Sequence, residues 1–288
     1  MISPIWASKL LYYRVFRKKC NLASPSTWNE KLMWLKLFED DHLKTQCSDK
    51  VQVRNYIASL GYEHILVNCL AVYEEASAID FDQLPTEFML KCSHGSGFNI
   101  VCTNKELLNV QEVVQKLTKW QQTNYAYKNC EPHYHSIPAR IVAEQILQRD
   151  ANKPFEYLFH CFHGKVQLIE VVLEREDGEN DFVTYTASWE PALFNETTVN
   201  LSKPIPRPEK LAEMLEIATA LSHSFTYVRV DLYDAVDAVY FGELTFTPDA
   251  CLDDDFFEEA RLQLGSYLHL QPHKRPRLSN KSALSKTT

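Results

Sequence analysis

The chain predicts an α+β fold, and three observations carry that expectation. Strand-like runs cluster in the middle and at the end of the 288 residues, and helical periodicities flank them rather than alternating with them. Neither G-x-G-x-x-G nor G-x-x-x-x-G-K-S/T occurs, so a dinucleotide-binding doubly wound sheet and a P-loop are both excluded. Hydrophobic residues make up 45% and charged residues 24%, which gives enough apolar material for one large domain or two small ones.

The elements follow in order. Trp28 to Phe38 puts Leu32, Leu35 and Phe38 on one helical face, widened by Met33, Trp34 and Leu37, with Ser26 or Thr27 as cap. Asp49 to Gly61 reads as a second helix, with Gly61 just past its end. Ile65 to Val72 reads as a strand. Phe88–Cys92 and Ile100–Cys102 read as hairpin arms around a glycine loop. Lys105 to Trp120 is an amphipathic helix. Residues 121–139 are polar and aromatic, with Tyr125, Tyr127, His133, Tyr134 and His135, and suit a lid or substrate loop. Ala139 to Leu147 reads as a strand. Tyr157–Phe162 and Val166–Leu173 form a hairpin that turns at His163-Gly164-Lys165. Pro204 to Pro208 breaks the chain before a helix at 209–223. Tyr227–Tyr233 and Ala238–Phe246 form a further hairpin. Residues 254–265 are helical, with Asp253-Asp254-Asp255 as an acidic start. The basic, Ser/Lys-rich stretch after Pro272 is expected to be disordered.

Several function classes are excluded. A net charge of −8 disfavours nucleic acid as the main partner. The eight cysteines include no C-x-x-C pair, so they are expected to be buried free thiols in a reducing cytoplasm. No run approaches the ~20 apolar residues that span a bilayer, and no signal peptide is evident. Residues 9–19 mix Leu, Tyr and Phe with Arg14, Arg17, Lys18 and Lys19. They read as a packed helix or as one lying on a membrane surface.

Two segments carry chemistry. Lys91 ends an apolar strand, where a cation needs an anionic partner. It is followed by Ser93-His94-Gly95-Ser96-Gly97-Phe98-Asn99, small residues whose backbone amides suit phosphate or simply make a turn. In the last hairpin Arg229 and Asp231 share a strand face, and Glu243 lies on the adjoining strand. Asp231 and Glu243 are hard oxygen ligands for magnesium, or they join Arg229 in an ion-pair network. Spacing alone does not decide which face Glu243 takes. His94, His133 and His135 lack the spacing of a zinc set.

Taken in order, several motifs resemble the TupA-like group of the ATP-grasp superfamily, found among polysaccharide-biosynthesis proteins. They are Trp28-Asn-Glu-Lys31, Asp49-Lys50 with Arg54, Phe88-x-x-Lys-x-x-His-Gly-Ser-Gly97, Pro138-x-Arg-Ile-Val-Ala-Glu144, Phe162-x-Gly-Lys165, Val228-Arg-Val-Asp-Leu-Tyr233 and Tyr240-Phe-Gly-Glu-Leu-Thr-Phe246. The similarity runs from about Trp28 to about Cys251. It implies an ATP-grasp fold with a helical region at 1–60 and two α+β subdomains, 61–150 and 151–271, that hold the nucleotide between them, followed by a tail at 272–288.

The resemblance also implies roles. Arg54 and Lys91 would bind phosphate, and His94, Gly95, Ser96 and Gly97 would close over it. Glu144, Gln145, Ile146 and Leu147 would form the adenine hinge, with Glu156 at the ribose. Asp231 and Glu243 would hold Mg2+, and Arg229, with Lys91, would serve the transferred phosphoryl group. The implied reaction joins a small carboxylate and an amine, such as an amino acid and a uronic acid or polysaccharide precursor, through an acyl phosphate made from ATP. A kinase, a sugar transferase and a non-catalytic nucleotide-binding protein are the alternatives. Three features are set against the wider pattern: Leu158 is apolar where related sequences often carry a lysine or other polar residue, Asp249-Ala-Cys251 replaces small glycines, and Thr245 stands where many ATP-grasp ligases have Asn, which suits the TupA-like group.

Overall fold

The computed structural model describes residues 3–39, 42–151, 153–175 and 178–271. The expected disorder at 272–288 lies outside them. Four helices come first: α1 (Pro4–Phe16), α2 (Trp28–Phe38), α3 (His42–Ser48) and α4 (Val53–Ser59). Then follow β1 (Cys69–Tyr73), β2 (Phe88–Cys92), β3 (Asn99–Cys102), α5 (Val110–Gln121) and β4 (Ile141–Glu144). The second half holds β5 (Glu156–Phe162), β6 (Lys165–Glu174), β7 (Asn180–Tyr185), the single turn α6 (Glu196–Val199), α7 (Leu211–Ser222), β8 (Tyr227–Asp234), β9 (Val239–Thr245) and α8 (Glu258–Tyr267).

The strands form two antiparallel sheets. One has four strands in the order β1-β4-β2-β3, the other five in the order β7-β6-β5-β8-β9. Alternation along β2 sends Phe88, Leu90 and Cys92 into a core with Val113 and Leu117 of α5, and leaves Met89 and Lys91 on the opposite face. In the larger sheet Tyr157, Phe159 and Cys161 of β5 pack with Met214, Ile217 and Leu221 of α7. The neighbouring Phe162 turns to the other face, where it joins Tyr12, Trp28, Leu32, Phe256 and Leu264.

The N-terminal helices therefore have no core of their own. Tyr56 and Ile57 of α4 complete one face of the five-stranded sheet, and α1 and α2 complete part of the other. The stretch Trp28-Asn-Glu-Lys31 is the clamp. Thr27 accepts from the Glu30 amide, and the Glu30 carboxylate reaches back to the Thr27 amide, a capping box. Trp28 is fully buried, its ring 5.4 Å from that of Phe256. Asn29 donates to the Asp253 carbonyl at 2.8 Å. Lys31 Nζ donates to the Gly265 and Leu268 carbonyls at the end of α8, 2.7 Å each. The helices meet so closely there that a Cβ on Gly265 would lie 2.2 Å from the Ser26 carbonyl oxygen.

Some boundaries differ from the sequence reading. The strand expected from Ile65 begins at Cys69, because 63–65 closes a 3-10 turn first. The helix after Asp49 begins at Val53, because the Asp49 carboxylate accepts from the Val51 amide and holds a turn. The helix expected from Lys105 begins at Val110, capped by Asn109. The last helix begins at Glu258, so Asp253–Asp255 lie in the preceding turn. Residues 121–139 are not a hanging lid. They fold into two 3-10 turns whose Tyr125, His133 and Tyr134 are buried. Aromatic area of that size is worth more in contact than in water.

Candidate active site

The carboxylate side of the cleft is built by one hairpin. Asp231 of β8 pairs with Glu243 of β9, and Leu232 pairs with Phe241, which leaves Gly242 as an extra residue. In a regular strand Phe241 and Glu243 would share a face. The bulge at Gly242 breaks that alternation, so Phe241 enters the core while Glu243 faces Asp231 across the ladder. A Cβ at Gly242 would lie 3.0 Å from the Asp231 carbonyl oxygen and 3.1 Å from the Tyr233 ring.

Arg229 lies two residues before Asp231 on the same face. Its Nε and Nη2 donate to Oδ1 and Oδ2 of Asp231 at 2.8 Å each, a bidentate pair. The Thr245 hydroxyl bridges the two carboxylates, 3.0 Å from Glu243 Oε1 and 3.5 Å from Asp231 Oδ2. Burial lifts Asp231 above the usual carboxylate range, against the pull of Arg229. Burial acts on Glu243 in the same sense, but Lys50 and Arg229 outweigh it and hold Glu243 below the usual value. Glu156, opposite Tyr233 at the start of β5, is raised to about 7 by burial and by the nearby Asp231.

The cationic side is assembled from three elements. Lys91 Nζ lies 2.8 Å from Glu144 Oε2. The contact is diagonal, because Lys91 pairs directly with Val142 and Glu144 with Met89. Arg54 of α4 reaches the other Glu144 oxygen at 3.5 Å and donates to the Val67 carbonyl at 2.9 Å. Lys50 spans the cleft: it donates to the Gly95 carbonyl at 2.9 Å and lies 3.4 Å from Glu243 Oε2. Lys50, Arg54, Lys91, Glu144, Gly242 and Glu243 line one cleft.

The glycine loop has two separate reasons for glycine. Gly97 adopts φ +76°, which side chains resist. Gly95 sits under the Tyr125 ring, where a Cβ would approach to 2.6 Å. Ser96 and Gly97 are exposed at the tip. His94 points to the end of α5, with Nε2 at 3.1 and 3.2 Å from the Trp120 and Thr123 carbonyls. Burial lowers its pKa, so the neutral ring donates from Nε2 and braces the loop. Gln145, Ile146 and Leu147 follow β4 into the connection between the sheets, and the Gln145 amide donates to the Asn68 carbonyl at 3.1 Å.

The sequence names three further residues, Lys50, Arg140 and Thr245, without showing what they touch. Lys50 meets the loop and Glu243 at once. Arg140 pairs with Asp49 at 2.7 Å, and its amide donates to Ser93 Oγ at 2.9 Å, which ties the turn before α4 to the loop. The motif Pro138-x-Arg140 was the available signal. Thr245, which stands where many ATP-grasp ligases have Asn, is the hydroxyl that bridges the carboxylates. A few residues beyond it Asp249, Ala250 and Cys251 adopt φ of 45°, 56° and 69° in succession. Such backbone costs of order 1–3 kcal/mol per residue. Lys36 holds the segment by donating to the Ala250 carbonyl at 2.9 Å.

The donor set fits magnesium. Among the described residues no three His, Cys, Asp or Glu side chains converge into a cage. Two carboxylates are what Mg2+ takes when water and phosphate complete its shell. Residues 30–269 match the family model described as TupA-like ATPgrasp. The chain belongs to this family. Solved structures similar to this TupA-like ATP-grasp chain include D-alanine–D-alanine ligase from Bacillus anthracis, 14% identical over 77% of this chain and 63% of that one, with a TM-score of 0.48. The enzyme of the same name from Helicobacter pylori is 18% identical over 79% of this chain and 60% of that one, with a TM-score of 0.42. Phosphoribosylamine–glycine ligase from Thermotoga maritima is 10% identical over 71% of this chain and 48% of that one, with a TM-score of 0.43. The chain thus spans less than two thirds of the length of each of the three, and likeness this distant does not bear on what it binds. No curated protein matches the chain.

Proposed function

We propose that this chain is an ATP-dependent carboxylate–amine ligase. One observation carries the reading: Asp231 and Glu243 oppose each other across β8 and β9, and Lys50 links Glu243 to the glycine loop beside Lys91 and Arg54. Cations and a glycine loop on one wall with a carboxylate pair on the other suit a triphosphate and its metal.

ATP is the first substrate. Lys91, Arg54 and Lys50 would exchange their carboxylate partners for phosphate oxygens. The amides of Gly95 to Gly97 would take the remaining oxygens. Asp231 and Glu243 would hold Mg2+, which supplies charge neutralisation to the phosphates. A substrate carboxylate attacks the γ-phosphorus, ADP leaves, and an acyl phosphate forms. An amine then attacks the acyl carbon, phosphate leaves, and the nitrogen loses a proton. Arg229 is placed beside the carboxylate pair to stabilise the oxyanion of each step. The protein otherwise positions the reactants and excludes water.

The family supports an amino acid as amine and a uronic-acid-type carboxylate, in surface polysaccharide biosynthesis. No disulfide joins any of the eight cysteines among the described residues, and six of them are buried, which supports a reducing compartment such as the cytoplasm. The test is free-phosphate release from Mg-ATP with uronic acids and amino acids, singly and paired. Release that requires both partners establishes the ligase. A stable phosphoester formed with one partner alone would make the protein a kinase.

A further inference from the structure

We propose that α1 is an interfacial helix that docks the protein onto an anionic lipid surface. The inference is independent of the ligase reading.

Residues 1–29 contain Lys9, Arg14, Arg17, Lys18 and Lys19 and no Asp or Glu. Subtracting those five charges from the net −8 leaves −13 on the rest of the chain. This polarity is written into the geometry of α1. At 3.6 residues per turn, Tyr13, Trp6 and Leu10 fall within an arc of roughly 60°. All three are exposed, Trp6 at 72%, Leu10 at 50% and Tyr13 at 49%. Lys9 flanks this stripe on one side and Arg14 on the other, and Arg17 caps the helix just past its end. The opposite face is anchored. Ser8 and Tyr12 are buried, the Tyr12 ring lies 4.5 Å from that of Phe16, and Phe16 lies under the Arg261 guanidinium at 5.0 Å. Lys18 pairs with Glu258 of α8 at 2.7 Å. The helix is thus fixed to the body by one face and presents an apolar stripe edged with cations on the other.

An aromatic and aliphatic stripe edged by cations matches a membrane interface, where Trp and Tyr sit at headgroup level and Lys and Arg meet anionic headgroups. A second copy of the chain is the weaker fit. Three side chains fall short of the ~800 Å² per partner that a stable protein interface buries. No helix among the described residues is long and apolar enough to cross a membrane, so the contact would be peripheral.

The experiment is co-sedimentation of the purified full chain with phosphatidylcholine vesicles, with and without about 30% phosphatidylglycerol, at about 0.1 M salt. Binding is expected on the anionic vesicles, at least about tenfold weaker on the neutral ones, and reversed by high salt. Leu10→Glu should weaken it about tenfold or more, and Lys9→Glu with Arg14→Glu should do likewise, at about fivefold per charge removed. Leu10 and Arg14 are exposed and Lys9 is half-buried at the edge of the stripe, so thermal melting should change little. Absence of binding, equal binding to both vesicles, or indifference to both variants would overturn the proposal. So would a dimer in sedimentation that Leu10→Glu dissolves.

Discussion

Two hairpins face each other across the cleft, and they handle charge in opposite ways. In β8–β9 Asp231 finds its cation within the hairpin. Arg229 clasps Asp231 and Thr245 ties Asp231 to Glu243, contacts that lie within two residues or one ladder step, while Glu243 also meets Lys50 from outside the hairpin. In β2–β3 nothing balances Lys91 locally. Its partner Glu144 comes from β4, Arg54 from α4, and Lys50 reaches the loop from the turn between α3 and α4. The carboxylate wall is therefore preorganised by one register. The cationic wall is held by long side chains from separate elements, which can change partners when phosphate arrives.

The largest expected effect attacks the preorganised wall. Asp231→Ala leaves the Arg229 guanidinium, 18% exposed, without its partner and should cost about 3–5 kcal/mol in urea unfolding. Asp231→Asn keeps an acceptor and should fold, yet phosphate release should fall about a hundredfold or more. Turnover within threefold of wild type would remove Asp231 from the chemistry.

On the other wall, Gly95→Ala puts a methyl where the Tyr125 ring lies 2.6 Å away. Overpacking of this kind costs about 1–3 kcal/mol, and calorimetry should show nucleotide affinity lowered about tenfold. Unchanged affinity would mean that the loop shape is incidental.

Lys50→Met tests the link between the walls. Its ammonium sits 3.4 Å from Glu243 in this structure. Removing it should tighten binding of Mn2+ alone about fivefold by electron paramagnetic resonance titration, while ATP affinity falls by a similar factor. If both affinities move the same way, Lys50 is not exchanging partners.

A separate effect concerns pH. Glu156 is raised from 4.5 to about 7, mainly by burial and then by Asp231. An acid with a raised folded pKa stabilises the fold below its unfolded value, and that contribution is lost as pH rises through the folded one. Wild type should thus lose stability from about pH 4.5 towards about pH 7, and Glu156→Gln should lose less. Urea midpoints at pH 5 and pH 8 measure the difference. Equal slopes in the two proteins would show that Glu156 is not the group titrating.

Much of this was legible in the chain. The hairpin arms at Phe88–Cys92 and Tyr227–Tyr233 follow from period-2 alternation, a local property of a pleated strand. The α2 cap and Gly61 at the end of α4 follow from local hydrogen bonding and from φ. The motif Trp28-Asn-Glu-Lys31 was visible, but its work as a clamp on α8 was not, since its partners lie more than 200 residues on. The packing of Tyr125 and Tyr134 was hidden for a similar reason. A polar, aromatic stretch reads as a loop until a neighbouring surface is there to cover the rings.

The sequence alone determined the α+β class, the element order, the family and the residue types on each wall. The class and the elements depend on periodicity, capping and composition, which act over a few residues, and the family on the resemblance of an ordered set of motifs spread along the chain. Tertiary structure alone decided that Glu243 faces Asp231, because one bulged glycine resets the strand's alternation. It also decided that Lys50 joins the two walls and that the N-terminal helices finish the core of the larger sheet. Those outcomes depend on distances between segments far apart in the chain, and only packing sets such distances.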